Sequence, residues 1–432
     1  MTKTPTWSRR GMVAVVAAAA LALSACSGGA GSPEDGETIT FWHYFTDRAD
    51  VLQQLADQYE EETGVTVELE LVPGDALGQK FQAAAQSDTL PDISAGWVGA
   101  GEVLAAYAND GSVLNLSELD DSDAWFERFV PSTIQGVSFA DGNEWDVDPG
   151  VYLVPFDTTN MQILYNTAAF DDAGIDAPPT DFDEFVDASQ KLRDAGYQPF
   201  VSGFAAWPLG SYASMYIDNV VPQDVREAAY SGEGRYDTEE WVGFLDLFAQ
   251  LAKEGVFADG SVGYDMPAAE ALFTSGQVGM IFDGSWALGV FTQTNPDFTD
   301  YGVFFPPTFG DEELKIPGGV GSTAFVVGSS PKKDEAVAFL KWMTDTEQQR
   351  VYSEASFNIP ANQQVVDELE LSPNIAAFAE GAAFLTPPAT SSMQGAVVTT
   401  MQAGLQLIIA GTDTAEAVAA RMQTALETDQ AQ

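Results

Sequence analysis

The sequence predicts an α/β fold in two domains, on three observations. Residues 38–71 read as strand, helix and strand, the order that lays down a parallel sheet with a helical crossover. Apolar runs and helical stripes then keep alternating as far as the C-terminus. A chain of 432 residues also exceeds the size at which one core stops growing. Hydrophobic residues at 45% and aromatics at 11% supply that core, so a formal charge of −48 does not imply disorder.

Residues 1–25 stand apart from the fold. Lys3, Arg9 and Arg10 precede an apolar run from Met12 to Leu23 and then Leu23-Ser24-Ala25-Cys26, the layout of a secretory signal peptide. Small residues before a cysteine resemble the bacterial lipobox, which implies cleavage before Cys26 and lipidation of that residue; a plain signal peptide with an incidental cysteine is the alternative. Ser8-Arg9-Arg10 hints at twin-arginine export. Cys26 is the only cysteine in the chain, so no internal disulfide can hold the exported domain. Residues 26–37, rich in Gly, Ser, Pro and acid, read as a flexible tether, and no later segment is long and apolar enough to span a bilayer. The expected placement is extracytoplasmic, on the outer face of the cell membrane. Removing residues 1–25 takes away three of the 17 basic residues and none of the 65 acidic ones, leaving a formal charge of −51. Such a surface repels phosphate backbones and argues against nucleic acid as a partner.

The folded part begins with TITFW as a buried strand. In DRADVLQQLADQYEEETG, residues Val51, Leu52, Leu55 and Tyr59 recur at helical spacing and Gly64 is a natural stop. VTVELELV alternates apolar and acidic residues, a strand with one wet face. ALGQKFQAAAQS is a second helix, LPDIS a third strand ending near Trp97, and GEVLAAYAND a short helix closed by Asn109-Asp110-Gly111. VYLVPF is a strand broken by Pro155, with MQILYN close behind it. In TDFDEFVDASQKLRDAG, Thr180 and Asp183 are spaced as a capping box ahead of an apolar stripe through Phe185 and Leu192. WVGFLDLFAQLAKEG is a helix, QVGMIFDGSW a strand ending in a turn, and GVGSTAFVVG a strand reached through glycines. AVAFLKWMTD and the tail from Ala396 to Leu426 read as helices.

Most catalytic motifs fail on arithmetic or context. One histidine, His43, and one cysteine leave no material for a Cys/His zinc site, and no phosphate-binding Gly-x4-Gly-Lys loop occurs. Gly319-Val320-Gly321-Ser322-Thr323-Ala324 matches a dinucleotide fingerprint in letters but precedes its strand instead of following it. DGNEWDVD has Trp145 where a calcium ligand is needed, and reads as a solvated acidic turn. No metal and no cofactor are expected. Carboxylate pairs suited to glycoside hydrolysis are too easily found among 65 acids to carry information. The placement of tryptophans is more telling: Trp42, Trp97, Trp207 and Trp286 each fall at a strand end or in a Gly/Pro-rich loop. Such loops form the ligand crevice of an open parallel sheet, and flat indoles suit the apolar faces of sugar rings. Trp125, Trp145, Trp241 and Trp342 are read as packing or surface residues.

TITFWHYFTD with the following QYEEETGVTVEL, LPDIS with Trp97 beyond it, VPFDTTNMQILYNTAAFDDAGI, Trp207-Pro208-Leu209, LFTSGQVGMIFDGSW, YGVFFPP, GGVGSTAFVVGSSPKKDEAVAFLKWMTD and EASFNIPAN occur in that order. Together they resemble the extracellular solute-binding lipoproteins of bacterial ABC sugar importers, family 1, the maltose-binding-protein-like group, over nearly the whole mature chain. The resemblance implies an α/β, two-lobed periplasmic-binding-protein-like fold, each lobe a mainly parallel sheet flanked by helices and joined by hinge crossings. Residues 38–155 and 320–370 would form lobe 1, and 156–319 and 371–432 lobe 2, with crossings near Val154–Thr158, Gly318–Ser322 and Leu369–Ile375. It further implies stacking on a sugar by Trp97, Phe204, Trp207 and Trp286, hydrogen bonding by His43, Asp157, Thr159 and Asp283, and a cleft-lining place for Trp42. On that reading His43→Ala weakens binding several-fold and leaves the melting temperature almost unchanged. Implied partners are a carbohydrate, membrane permease subunits and, through Cys26, the membrane, with the protein a monomer and not an enzyme. Val98-Gly99-Ala100-Gly101 stands where maltodextrin binders carry an acid and an arginine, and 391–395 lacks their aromatic, which argues against maltodextrin itself. A cationic solute such as a polyamine, a secreted glycoside hydrolase and a ligand-sensing lipoprotein are the competing readings.

Overall fold

The computed structural model describes residues 37–87, 89–96, 99–310, 314–368, 372–386 and 388–431. The signal segment, Cys26 and Trp97 therefore lie outside the described residues.

The first sheet grows from the N-terminal strand. Thr38–His43 pairs in parallel with Thr66–Leu71 on one side and with Ile93–Ala95 on the other. The intervening helix Ala49–Thr63 forms because Val51, Leu52, Leu55, Ala56 and Tyr59 make one buried stripe, and it stops at Gly64, whose φ of 80° only glycine adopts freely. Its Tyr59 seals the sheet against Phe339 and Trp342, each at 5.1 Å between ring centroids. Thr323–Val326 then joins Ile93–Ala95 antiparallel, and Val154–Pro155 closes the edge.

The second sheet is organised by one long strand, Asp157–Asn166. Val278–Gly284, Tyr301–Phe304, Ile316–Val320 and Ile359–Pro360 all pair with it antiparallel. Among its named strands, in the described residues, the parallel pairs are Gln198–Val201 on Val278–Gly284 and Leu385–Thr386 on Ile316–Val320. The expectation of a mainly parallel sheet is thus corrected for this lobe. The cause is connectivity: Asp157–Asn166 carries the chain out from the first sheet and Ile316–Val320 carries it back, so their neighbouring runs must oppose (Thr158 faces Val320, Asn160 faces Gly318).

Each sheet carries its own core. One gathers Phe41, Phe45, Phe81, Trp125, Phe156 and Tyr352; the other gathers Phe185, Phe200, Phe204, Tyr212, Trp241 and Phe248. In the second, the helix Glu239–Lys253 lies against Gly395–Ile409 and Ala415–Asp429, two helices separated at Gly411, φ 68°. The capping box of Phe182–Asp194 is one residue later than expected. Asp181 accepts from the Glu184 amide at 2.9 Å, and the Glu184 carboxylate reaches back to the Thr180 amide at 2.9 Å.

The chain passes between sheets at Phe156 and at Gly321–Ser322. A Cβ on Gly321 would sit 2.0 Å from an Asp157 carboxylate oxygen, so the two crossings meet only because this residue has no side chain. Asp157 is fixed there. Its Oδ1 accepts from the Ser322 amide at 2.7 Å, and its Oδ2 accepts from Arg48 Nη1 and from the Tyr352 hydroxyl, both at 2.7 Å. The third expected crossing, Leu369–Ile375, begins with residues outside the described set, and Ile359–Pro360 already pairs with the second sheet ahead of it.

Candidate functional site

Two strands of the second sheet that run side by side, Gln198–Val201 and Val278–Gly284, deliver the loops that carry Trp207 and Trp286. Each indole immediately precedes a helix, Pro208–Val220 or Ala287–Thr294. Their ring centroids stand 6.0 Å apart at 53°, Trp286 is half-buried, and Trp207 is 51% exposed. An indole left that open beside a second one is unusual for a residue serving only as packing. The Trp286 ring lies over Gly284, where a Cβ would approach it to 2.0 Å. Next to the pair, the Thr159 and Ser285 hydroxyls are 3.1 Å apart.

Two carboxyl groups lie under this platform. Asp283 is 0% exposed and Glu270, on the helix Met266–Thr274, is 6% exposed. Asp283 Oδ1 accepts from the Gly284 amide at 2.7 Å, and its carboxyl is a hydrogen-bond neighbour of Glu270. Burial pushes Glu270 up to about 8, with Asp47 and Asp265 adding to the shift. Asp283 is pushed well up, first by burial and then by Glu270. Two acids this close and this dry cannot both ionise, so near neutral pH the pair holds at least one proton.

The first lobe faces this wall with the loop after His43. Tyr44 is half-buried, and its hydroxyl is pushed up to about 12, chiefly by burial. Asp47 presents its backbone carbonyl to the Gln293 side chain of the other lobe. Arg48, buried, neutralises Asp47 through contacts of 2.7–3.0 Å and also binds Asp157, Ser322 Oγ and the Tyr352 hydroxyl. The cleft therefore has hydroxyls, carboxyls and aromatic faces, while its nearest cation is already committed.

Of the residues expected in the site, Trp207, Trp286, Thr159 and Asp283 are brought together. Trp42 is not among them: it is nearly buried between Glu70 and Ser94 on neighbouring strands, with the Lys80 ammonium 3.8 Å above its ring, a cation–π contact within the lobe. Phe204 packs on Phe200, Tyr212 and Phe257 and is fully buried, because the tight turn from Ser202 folds it back into the core. Asp157 is consumed by Arg48, Ser322 and Tyr352 at the crossing. Trp125 and Trp241 are buried, and Trp145 and Trp342 pack at the edge of the first core.

His43 also requires correction. Strand alternation sends it to the same face as Phe41, so its ring sits 5.7 Å from Phe41 and 5.8 Å from Phe45 and is 2% exposed. Burial first, and the Arg48 charge second, lower its pKa to about 4. The unfolded chain takes up a proton as pH falls below the ordinary 6.5, while the folded protein does so only near 4. Stability is therefore complete above 6.5 and declines between the two values, by ~3 kcal/mol in full. The expected result is that His43→Phe reduces the loss of unfolding free energy between pH 7.5 and pH 5 by ~2 kcal/mol in urea titrations. Parallel pH profiles for parent and variant would refute a neutral buried imidazole.

Tyr44, Asp47 and Glu270 were not singled out by the sequence. Glu270 did leave a signal: in MPAAEALFT it occupies the same helical face as the buried Ala269, Phe273 and Thr274, where a solvated acid does not belong. A surface depression of about 460 Å³ between the last two helices, lined by Ala396, Thr400 and Arg421, contains none of these side chains and opens to solvent.

The family model described as bacterial extracellular solute-binding protein matches residues 44–350. A multiple sugar-binding protein of Streptococcus mutans is 24% identical over 358 residues, covering 80% of this chain and 81% of that protein. A diacetylchitobiose-binding protein of Streptomyces coelicolor is 24% identical over 393 residues, covering 84% of each. Among solved structures, a chitin oligosaccharide binding protein superposes with a TM-score of 0.75 at 23% identity, covering 90% of this chain and 98% of that one. A binding protein in complex with raffinose superposes at 0.73 and 20% identity, covering 90% and 99%. The two-lobed α/β architecture is thus the one these binding proteins share, and the chain belongs to the bacterial extracellular solute-binding protein family.

Proposed function

We propose that this protein is the solute-binding component of an ABC importer, capturing a carbohydrate between its lobes and delivering it unchanged to a membrane permease. The observation that carries the reading is the exposed indole pair Trp207 and Trp286, set 6.0 Å apart beside the Thr159 and Ser285 hydroxyls. Sugar rings stack on such faces through their C–H edges, while their hydroxyls take up the donors and acceptors around them. Relatives named for multiple sugars and for diacetylchitobiose, and a neighbour holding raffinose, support the same class of ligand. Tyr44 would meet the sugar from the opposite wall, and closure of the lobes would exclude water from both faces. The lipobox-like Leu23-Ser24-Ala25-Cys26 supports a tether to the outer face of the membrane through lipidated Cys26.

Binding is favoured over hydrolysis by the carboxyl geometry. Glycosidases hold their two acids roughly 5–10 Å apart across the scissile bond, whereas Glu270 and Asp283 are hydrogen-bond neighbours on one wall. The test is a thermal-shift screen over mono- and oligosaccharides, followed by calorimetry and recovery of the sugar. A true ligand at one hundred times its Kd should add about 2.7 kcal/mol of apparent stability and be recovered intact. A shift with no carbohydrate, or release of cleaved sugar, would overturn the proposal.

A further inference from the structure

We propose that Gly289 and Gln293 are positioning residues for solute capture. Together they clasp the helix that begins behind Trp286 to the opposite lobe, and bias the cleft toward closure before any solute arrives. The use of the clasp rests on the reading of the protein as a solute-binding component; the clasp itself does not.

The helix Ala287–Thr294 has two working faces. Ala287, Leu288 and Phe291 turn inward, into a cluster of the second lobe that includes Val278 and Ile281 of the neighbouring strand. Gly289 and Gln293 lie one turn apart on the opposite face, and both meet the first lobe. A Cβ on Gly289 would stand 2.7 Å from the Ser356 backbone oxygen and 4.0 Å from Asp47 Oδ2. Gln293 Nε2 donates to the Asp47 backbone carbonyl. Glycine is a poor helix former, because it loses the most backbone freedom on ordering. Its place inside this helix follows from the carbonyl against which it packs: any side chain there would force the two backbones apart.

The two acceptors on the first lobe are themselves tied together. Ser356 ends the helix Thr346–Ser356, and Tyr352 lies one turn earlier on the same face. The Tyr352 hydroxyl is 2.8 Å from Arg48 Nη1, and the same guanidinium grips the Asp47 carboxylate. Asp47 and Ser356 therefore belong to one connected ledge beside the crossing. Phe357, next after Ser356, has a φ of 57°, a left-handed conformation that a bulky side chain adopts only under constraint. Its ring packs against the cluster that holds Ala287, Leu288 and Phe291. The first lobe thus reaches into the second beside the place where the second rests on the first. Opening about Phe156 and Gly321–Ser322 would draw the Asp47 loop and the Trp286 helix apart, because they stand on facing walls. A solute that meets lobes already biased toward its bound arrangement binds more tightly, since the competent fraction is larger.

The experiment is small-angle X-ray scattering on the ligand-free protein, with far-ultraviolet circular dichroism to confirm that each variant is folded. Gln293→Ala should give a larger radius of gyration than the parent, and Gly289→Ala with Gln293→Ala a larger one still. Alanine is the better helix former, so separation of the lobes in the double variant would not come from loss of the helix. Gln293→Lys, whose ammonium restores a donor toward the Asp47 carbonyl, should return to the parent value. With the sugar selected by the thermal-shift screen, Gln293→Ala should speed dissociation by about two- to tenfold, the worth of one neutral hydrogen bond, and Gln293→Lys should slow it again. If the double variant unfolds, Gln293→Ala decides alone, since that side chain is exposed and its truncation leaves both cores intact. Scattering from Gln293→Ala that matches the parent, or a Gln293→Lys profile that follows Gln293→Ala, overturns the clasp. If no sugar binds the parent, carbohydrate capture fails and the scattering still decides the clasp.

Discussion

Trp286→Ala is expected to weaken carbohydrate binding by about 10- to 100-fold, equivalent to ~1.5–3 kcal/mol, without unfolding the protein. The ring packs over Gly284 and against Trp207, and its removal takes away a stacking face along with the surface that excludes water from Asp283. Trp207→Ala should cost less, several-fold, because half of that ring is in water before any ligand arrives. The ordering distinguishes a binding platform from a structural cluster. Calorimetry on both variants checks it, together with far-ultraviolet circular dichroism. Loss of fold in either, or affinities within twofold of the parent, would contradict the assignment.

The second large effect is on stability. Arg48→Met removes the guanidinium from a buried site where Asp157 Oδ2 depends on it, leaving that carboxylate with the Ser322 amide and the Tyr352 hydroxyl alone. Removing one partner of a buried ion pair strands the other, at a cost of ~3–5 kcal/mol. The penalty falls on the crossing itself, since Asp157 begins the strand that leads into the second sheet and Ser322 lies where the chain returns. Urea denaturation should therefore report a lower midpoint for Arg48→Met. The double variant Arg48→Met with Asp157→Asn should recover part of the loss, because no bare charge is left behind. A single variant within ~0.5 kcal/mol of the parent would mean that the network contributes little.

Most of the fold was legible because its signals are local. The stripe Val51, Leu52, Leu55, Tyr59 with its stop at Gly64, and the strand Thr38–His43, follow from periodicity and turn chemistry alone. Strand direction in the second lobe was not legible. It depends on which strand carries the chain across and which brings it back, a non-local fact that no window of residues contains. The site divided along the same line. Trp207 and Trp286 were visible as aromatics in loops beyond strand ends, and the structure sets their rings 6.0 Å apart. Trp42 and His43 were drawn in by the same position, yet a strand offers two faces, and both of these turned inward, one under Lys80 and one between Phe41 and Phe45. The first loop residue beyond the strand, Tyr44, stays half-buried at the edge of the first core. Glu270 was hidden for a different reason: among 65 acidic side chains, only its position on a buried helical face marks it.

The most direct measurement is a crystal structure of the protein with the tightest-binding sugar from the screen. The account predicts a sugar ring stacked on Trp286 with Trp207 against its edge and Tyr44 approaching from the other lobe. A sugar bound elsewhere on the surface, with both indoles unoccupied and the gap between the lobes empty, would contradict it.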